Sequence, residues 1–390
     1  MLKGSRSRKL NALLLVGSLA FCFLAIEVFI RSSPHTAFKL ANPDFYSDRN
    51  WFEFHPSLGY TLRRNHSTAY AYLYDDCQER RVPIITNSIG IRDTIPQNLG
   101  DKPLCAFIGD SFTEGYNVES SQTYPALVKK AFAGRLYVVN FGIHNYGCED
   151  YRKMAMFVKK RYHPVHLYIG LFIGNDLAFY RHNIAKIFDS YLSASLYSYS
   201  WVKIGFRPIL NFRGRSHGQN PAGLNDHSDL LQNHSEFFDD FKNCDQEKIR
   251  SYMEEYLLYR TQPSVTRLYG EQKEIAEIVR STVQVLKDIQ GHLGDCKLHV
   301  LIFPERIQVK DAEWKWLAGR FSEYKNRRLN IDLLMAELER ERIAFTNYLP
   351  LLDEKCYLRF DGHFSEQGHQ KIAEIIVGQL AQEAPDREHE

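Results

Sequence analysis

The sequence has almost no excess of charge of either sign. Its 49 Lys and Arg residues stand against 47 Asp and Glu residues, which gives a formal net charge of +2. It also lacks a long basic block, whereas a nucleic-acid-binding protein needs a basic face that displaces many counterions. The composition therefore argues against nucleic acid as a partner. With 44% hydrophobic and 25% charged residues, the chain has the composition of a folded globular protein.

Patterns that hold metal ions or carry redox chemistry are also missing. The seven cysteines include no Cys-x-x-Cys pair and no zinc-type spacing. His217, His227 and His234 lie in a polar stretch without the spacing of metal ligands. The sequence therefore predicts no metal site.

Only one long apolar run is present, from Leu10 to Ile30. Its 21 residues contain a single charge, Glu27, near the far end, and as a helix they would extend about 31 Å, enough to cross a bilayer. Four basic residues precede the run: Lys3, Arg6, Arg8 and Lys9. The positive-inside rule then predicts that residues 1–31 are a cytoplasmic tail and transmembrane anchor, with the remaining chain outside the cytoplasm. A cleaved signal peptide is the alternative, but no small-x-small cleavage site follows Glu27.

An exported chain meets an oxidising environment, in which disulfides can form. Cys22 lies in the apolar run, and the other six cysteines could pair in 15 ways, among which the sequence does not choose. Cys105 lies in an apolar stretch and could equally be a buried thiol. The six are Cys77, Cys105, Cys148, Cys244, Cys296 and Cys356.

Short apolar runs alternate with helical patterns after residue 100. Near-continuous hydrophobic runs are typical of strands buried on both faces, as in a parallel sheet. We predict such strands at 104–108, 136–141, 167–173 and 298–303, with a weaker fifth at 343–347. We predict helices at about 122–133, 149–161, 271–292, 320–341 and 365–382. This alternation predicts an α/β sandwich with right-handed crossovers.

Two segments lie outside this alternation. Residues 32–100 form an entry segment with turn signals and no clear amphipathic helix. Residues 177–265 form an insertion into the α/β domain of residues 101–390. The aromatic residues of the insertion could form a lid or a sugar-stacking surface, or simply pack the insertion onto the domain.

Residues able to carry chemistry follow the predicted strands. Ser111 comes directly after the first strand, where a hydroxyl is exposed at the ligand-binding edge of an open α/β sheet. Gly142 follows the second strand and lets a backbone N–H approach a ligand, and Asn175 follows the third and offers a side-chain amide. Near the C-terminus, His363 supplies a base with Asp361 beside it. A nucleophile, two donors and a base with a carboxylate are the groups that acyl transfer requires.

Together these segments resemble the sequence blocks of the SGNH hydrolases, in the GDSL lipase/esterase superfamily. The blocks are Gly-Asp-Ser-Phe-Thr-Glu-Gly with Ser111, Asn-Phe-Gly with Gly142, Gly-Asn-Asp with Asn175, and Asp-Gly-His with His363. They occur in the family's order and cover about residues 104–180 and 297–382. The stretch Asn-Ser-Ile-Gly-Ile-Arg-Asp at 87–93 is similar to one found in membrane-anchored bacterial members, often linked to exopolysaccharide pathways.

This resemblance implies both a fold and a mechanism. The fold would be a flavodoxin-like three-layer α/β/α sandwich with a five-stranded parallel sheet, without a required metal or organic cofactor. His363 would take the proton of Ser111, which attacks an ester carbonyl. The oxyanion would be met by the N–H groups of Ser111 and Gly142 and by the amide of Asn175.

The last block departs from the family pattern. The family usually has Asp-x-x-His, whereas Asp361 stands two positions before His363. Residues two apart in an extended segment face the same side, so a carboxylate–imidazole contact can still form. Asp361 is therefore a candidate orienting residue, and a Ser–His dyad is the alternative. Three nearby polar residues are expected to be structural: Asp110 in the nucleophile turn, Asp176 beside Asn175, and His369 in the last helix.

Three functions are compatible with these residues. The first is an anchored extracytoplasmic esterase that removes short acyl groups, acetyl above all, from a glycan or a small ester. The second is an O-acyltransferase that passes the acyl group to a polysaccharide hydroxyl, working with a membrane partner that supplies acyl groups. The third is a catalytically silent glycan-binding or assembly protein. The complete set of site residues favours the first two.

Overall fold

The computed structural model describes residues 11, 14–25, 28, 51–74, 76–95, 102–177, 256–257 and 259–383. Residues 14–25 are helical. Among the described residues, none of the helices combines the length and the apolar character needed to span a membrane. Glu27, Ile30 and several other residues of the predicted anchor lie outside the described residues, as does most of the 177–265 insertion.

The chain divides into two compact units. One comprises residues 1–63 and 181–220, and the other comprises residues 64–180 and 221–390. In the first unit, β1 (Phe52–His55) and β2 (Gly59–Leu62) form an antiparallel hairpin. The second unit begins with another antiparallel hairpin, of β3 (Ser67–Leu73) and β4 (Glu79–Ile85). The entry segment thus contains hairpins and, among its described residues, no helix.

A five-stranded parallel sheet forms the centre of the second unit. Its strands are β5 (Leu104–Gly109), β6 (Tyr137–Asn140), β7 (His166–Phe172), β8 (Lys297–Phe303) and β9 (Ala344–Asn347). They are arranged in the order β6-β5-β7-β8-β9, with every neighbouring pair parallel. Counted from the first strand of the sheet, this order is 2-1-3-4-5, the order of flavodoxin-like doubly wound sheets. The predicted α/β fold and its five strands are confirmed.

Helices cover the sheet in two layers. They are α1 (Ser111–Glu114), α2 (Tyr124–Ala131), α3 (Cys148–Tyr162), α4 (Pro263–Thr266), α5 (Gln272–Leu293), α6 (Arg306–Val309), α7 (Asp311–Arg320), α8 (Leu329–Arg340) and α9 (Glu366–Glu383). Helices α2 and α9 pack together, and their buried residues share one core cluster with Phe107 of β5 and Phe303 of β8. Helix α5 packs against α3 and α8. The apolar faces of these helices are buried against the sheet, and this packing holds in place the strand ends that carry the candidate site.

One helix prediction was wrong in its extent. The helix expected at 320–341 begins only at Leu329, and α6 and α7 occupy residues 306–320, where no helix was predicted. Between α7 and α8 the side chain of Tyr324 is buried, and its hydroxyl donates to the backbone oxygen of Arg260, 2.8 Å away. This long-range contact determines the chain path, so local helix propensity does not predict it.

The six candidate cysteines differ in burial and in bonding. Cys77 is disulfide-bonded, and Cys244 lies outside the described residues. Buried free thiols are found at Cys105, Cys148, Cys296 and Cys356. Four of the six candidate cysteines are therefore core residues rather than disulfide partners.

Candidate active site

Ser111 lies at the carboxyl end of β5, as the sequence predicted. All six residues of β5 are buried, and the strand leads through Asp110 into the short helix α1, of which Ser111 is the first residue. Asp110 is the N-cap of α1, and its carboxylate accepts the N–H of Phe112 at 3.0 Å. The carboxyl ends of β5 and β7 lie at the point where the strand order reverses, which is where open α/β sheets bind ligands.

The structure places His363 against Ser111, although the two residues are 252 positions apart. The distance from Ser111 Oγ to His363 Nε2 is 2.7 Å. On the other side of the ring, His363 Nδ1 is hydrogen-bonded to Asp361 Oδ1. A hydroxyl, an imidazole and a carboxylate in this order have the geometry of a Ser–His–Asp triad, in which the imidazole can accept the proton of the hydroxyl.

The Asp361–His363 contact forms in a turn rather than in an extended segment. Gly362, between the two residues, has φ +80°, a left-handed conformation that glycine adopts without a steric penalty. The turn is closed by two backbone hydrogen bonds, from Leu358 N to His363 O at 2.8 Å and from Gly362 N to Leu358 O at 3.0 Å. The prediction of an extended segment at Asp361 and His363 is therefore wrong, while the carboxylate–imidazole contact itself is present.

The electrostatics of the triad stabilise the charged pair. Burial disfavours the imidazolium, but the carboxylates of Asp361, Asp110 and Glu114, with Asp361 contributing most, together raise the pKa of His363 above its ordinary value. Burial favours the neutral form of Asp361, but the contacts with His363 and the hydrogen bond from Tyr70 together shift the pKa of Asp361 downward. Asp361 therefore stays ionised and His363 is a stronger base than an isolated histidine.

The raised pKa of His363 predicts an acid limb in the pH profile. The imidazolium cannot accept the proton of Ser111, so kcat/KM should rise as the pH increases through that pKa, with its midpoint above about 6.5. A steady-state profile on a neutral ester measures this midpoint. Burial raises the pKa of Asp110 to about 6, so Asp110 titrates in a similar pH range and could produce a similar acid limb. The Asp361→Asn variant separates the two groups, because it should lower the midpoint only if that midpoint belongs to His363. A midpoint below that of free histidine would contradict the assignment.

Asn175 is brought to the same sheet edge. It lies in the π-helical turn Ile173–Leu177 that follows β7, and its Nδ2 donates to Asp110 Oδ2 at 2.7 Å. This bond uses one of the two amide hydrogens and fixes the amide beside the nucleophile turn. Donation of the other hydrogen to a developing oxyanion, which is the role predicted for Asn175, stays a prediction.

Replacing Asn175 with Ala should lower kcat by about 10²–10³-fold with little change in KM, because the amide is expected to bind the transition-state oxygen more tightly than the ground-state carbonyl. Steady-state kinetics on a small acetyl ester measure both constants. The melting temperature of the variant is the control, because the mutation also removes a hydrogen bond from buried Asp110. A loss confined to KM would exclude Asn175 from the oxyanion hole.

Gly142 lies near the nucleophile helix, but its donor is engaged. Its N–H donates to Asn140 Oδ1 at 2.9 Å, and Asn140 Nδ2 donates to Thr113 O at 2.8 Å. A Cβ at position 142 would come within 2.4 Å of the backbone nitrogen of Glu114, so only glycine permits this close approach. A donor role for Gly142 in the oxyanion hole requires its N–H to be shared with Asn140, and it stays a prediction.

The neighbouring polar residues have structural contacts. Asp176 accepts the hydroxyl of Tyr151 and, at 2.8 Å, the N–H of Phe172, so it braces the turn that carries Asn175. His369 is fully buried and accepts the N–H of Tyr124 at 3.2 Å. Burial lowers the pKa of His369 to about 3, which keeps this ring neutral. Both residues have the structural character that the sequence predicted.

Two aromatic residues at the site were not predicted from the sequence. Tyr70 of β3 donates its hydroxyl to Asp361 Oδ2 at 3.2 Å. The ring of Tyr116 lies between those of Tyr70 and His363, with centroid distances of 4.4 and 5.0 Å. The available signal was the alternation of tyrosines in β3, which indicates a strand with one aromatic face but not what that face contacts.

A buried arginine–glutamate cluster lies behind the loops of Asn175 and His363. Arg260 forms an ion pair with Glu305, and Arg306 donates to Glu313 at 2.8 Å. Arg306 also donates to the backbone oxygens of residues 358 and 359, in the segment that leads to Asp361. The hydroxyl of Tyr259 donates to the backbone oxygen of residue 174, 3.1 Å away and next to Asn175. The cluster therefore supports both loops from beneath.

Metal-ligating side chains do not assemble in the part of the chain that the structure describes. No group of three or more His, Cys, Asp or Glu residues there has a geometry able to hold a metal ion.

The sequence matches no protein-family model, and no curated protein matches it. Solved structures give matches of low identity. Est24, a carbohydrate acetylesterase from Sinorhizobium meliloti, is 12% identical over 72% of this chain and 99% of its own, with a TM-score of 0.37. A carbohydrate esterase family 2 enzyme with a carbohydrate binding domain from Corynascus thermopiles (Myceliophthora fergusii) is 12% identical over 74% of this chain and 68% of its own, with a TM-score of 0.36. The lipase/acylhydrolase from Enterococcus faecalis is 12% identical over 72% of this chain and 96% of its own, with a TM-score of 0.37.

Proposed function

We propose that the chain is a serine esterase that removes short acyl groups, acetyl above all, from a glycan or a related ester. The observation that carries this proposal is the contact of Ser111 Oγ with His363 Nε2 at 2.7 Å, with Asp361 bound to the other ring nitrogen. An unactivated serine is a weak nucleophile, and this arrangement supplies the base that it needs.

The mechanism follows from the contacts of the triad. His363 takes the hydroxyl proton as Ser111 Oγ attacks the ester carbonyl, and Asp361 stabilises the imidazolium that forms. The amide of Asn175 donates to the developing oxyanion. The imidazolium then gives its proton to the departing alcohol, which leaves an acyl-Ser111 intermediate. A water molecule activated by His363 attacks this intermediate, releases the acid and restores the serine.

The products distinguish hydrolysis from transfer, because both reactions pass through the same acyl-serine. The purified full-length protein is incubated with a small acetyl ester, with and without an oligosaccharide acceptor, and the products are analysed by mass spectrometry. Hydrolysis gives acetate and leaves the acceptor unchanged, whereas an O-acyltransferase gives an acetylated oligosaccharide. Ser111→Ala is the matched control. Neither product, together with an unmodified Ser111, would indicate a catalytically silent protein and overturn the proposal.

We also propose that the catalytic unit lies outside the cytoplasm and is held at the membrane by the apolar run from Leu10 to Ile30. The four basic residues before this run support that orientation. A reporter enzyme that is active only outside the cytoplasm, fused after Glu390, tests this orientation. The fusion should be active. An N-terminus detected downstream of Ile30 on the native protein would instead indicate a cleaved signal peptide.

A further inference from the structure

The two oxygens of the Asp361 carboxylate have different partners. One oxygen, Oδ1, accepts from the ring Nδ1 of His363 and, at 3.3 Å, from the backbone N–H of the same residue. The other oxygen, Oδ2, accepts the hydroxyl of Tyr70 at 3.2 Å. The plane of the carboxylate is therefore set at one end by the base that it orients and at the other by Tyr70.

Tyr70 is itself held in place by its surroundings. Its ring lies edge-on to Tyr116, with centroids 4.4 Å apart. It neighbours Tyr72 on the same face of β3, and Tyr72 is buried together with Val82 and Leu358. Because Leu358 lies at the start of the turn that carries Asp361 and His363, the hairpin and this turn share a core contact.

Arg92 fixes the hairpin to the nucleophile loop. Its buried guanidinium donates to Pro83 O at 2.9 Å and to Val118 O at 2.7 Å, and it also donates to Gly115 O. Pro83 pairs with Ala69 in the register of β3 and β4, so this anchor lies one residue from Tyr70. A side chain held at three backbone oxygens leaves the hairpin little freedom to move away from the site.

We propose that Tyr70 is a positioning residue of the triad, which acts by holding the Asp361 carboxylate in the plane that orients His363. The entry hairpin of β3 and β4 is then a part of the catalytic unit. This inference rests on the proposed serine-hydrolase function, since it assigns Tyr70 a role in the same reaction.

The test is a double-mutant cycle between Tyr70→Phe and Asp361→Ala, which removes the hydroxyl and its acceptor. In the otherwise wild-type protein, Tyr70→Phe should lower kcat about tenfold with KM unchanged, because it removes a hydrogen bond to a charged group that never touches the substrate. In the Asp361→Ala background, the same mutation should change kcat less than about twofold. The rate of fluorophosphonate labelling of Ser111 should follow the same pattern.

Tyr74→Phe is the matched control, since Tyr74 follows β3 at the same alternation and its ring contacts the guanidinium of Arg80. It should leave both constants unchanged. The inference is overturned if Tyr70→Phe keeps wild-type kcat, if it raises KM instead, or if it costs a full tenfold in the Asp361→Ala background. Wild-type activity of Ser111→Ala would instead overturn the proposed function itself, so the two failures are distinguishable.

Discussion

Ser111→Ala and His363→Ala should each lower kcat/KM for a small acetyl ester by about 10⁴-fold or more, and the double mutant should be hardly worse than either. The reason is the 2.7 Å contact between Ser111 Oγ and His363 Nε2. The hydroxyl is only a weak nucleophile without the base, and the base has nothing to activate without the hydroxyl. The losses of kcat/KM in the two single mutants therefore do not add.

Labelling provides an independent measurement of the same unit. A fluorophosphonate should label Ser111 alone, and His363→Ala should slow this labelling strongly. Ser120→Ala is the matched control and should leave the labelling unchanged. Ser120 is an exposed serine nine positions further along the chain, and its only described hydrogen bond is through its backbone oxygen. Full activity of Ser111→Ala on every ester that the native protein cleaves would exclude this site from catalysis.

Asp361→Asn should lower kcat by about 10³–10⁴-fold with little effect on KM. The carboxylate binds the Nδ1 side of His363, so it sets the ring tautomer and stabilises the imidazolium, whereas an amide can bind the ring in the wrong tautomer. Steady-state kinetics measure this loss. Asp353→Asn is the control on the same part of the chain, since Asp353 is exposed and caps a 3-10 turn without contact with the triad.

A smaller effect has a definite meaning. If Asp361→Asn costs less than about tenfold, His363 works as half of a Ser–His dyad and the carboxylate only supports the turn. The structure favours the larger effect, because both oxygens of Asp361 are committed to fixed partners.

The parallel sheet could be predicted from the sequence because each strand corresponds to a short hydrophobic run. The run at 104–108 is hydrophobic at every position, and the strand Leu104–Gly109 is buried throughout, since both faces of the sheet are covered. The convergence of Ser111 and Asn175 follows from the same geometry, because the carboxyl ends of parallel strands meet at one edge. No such rule applies to His363, which was a candidate because it is a base with a carboxylate beside it, and the resemblance of its block supported that role.

Contacts that depend on long-range packing could not be predicted in this way. Tyr70 and Asp361 are 291 positions apart, and the hairpin that carries Tyr70 reaches the site through the anchor at Arg92. The commitment of the Gly142 N–H to Asn140 depends on side-chain rotamers, which a motif does not record. The turn at Gly362 depends on a positive φ, and a glycine in the sequence permits that conformation without requiring it.

The arginine–glutamate cluster sets a limit on how far this chain could be shortened in the search for a minimal catalytic unit. Arg260 is buried against Glu305 and approaches Glu313, and both carboxylates are themselves buried. A deletion that rejoins the chain between Leu177 and Tyr256 would keep this arginine. A deletion that extended past Arg260 would leave Glu305 without its ion-pair partner, at a cost of about 3–5 kcal/mol. Such a protein would lose stability beneath the loops of Asn175 and His363, although no catalytic residue had been removed.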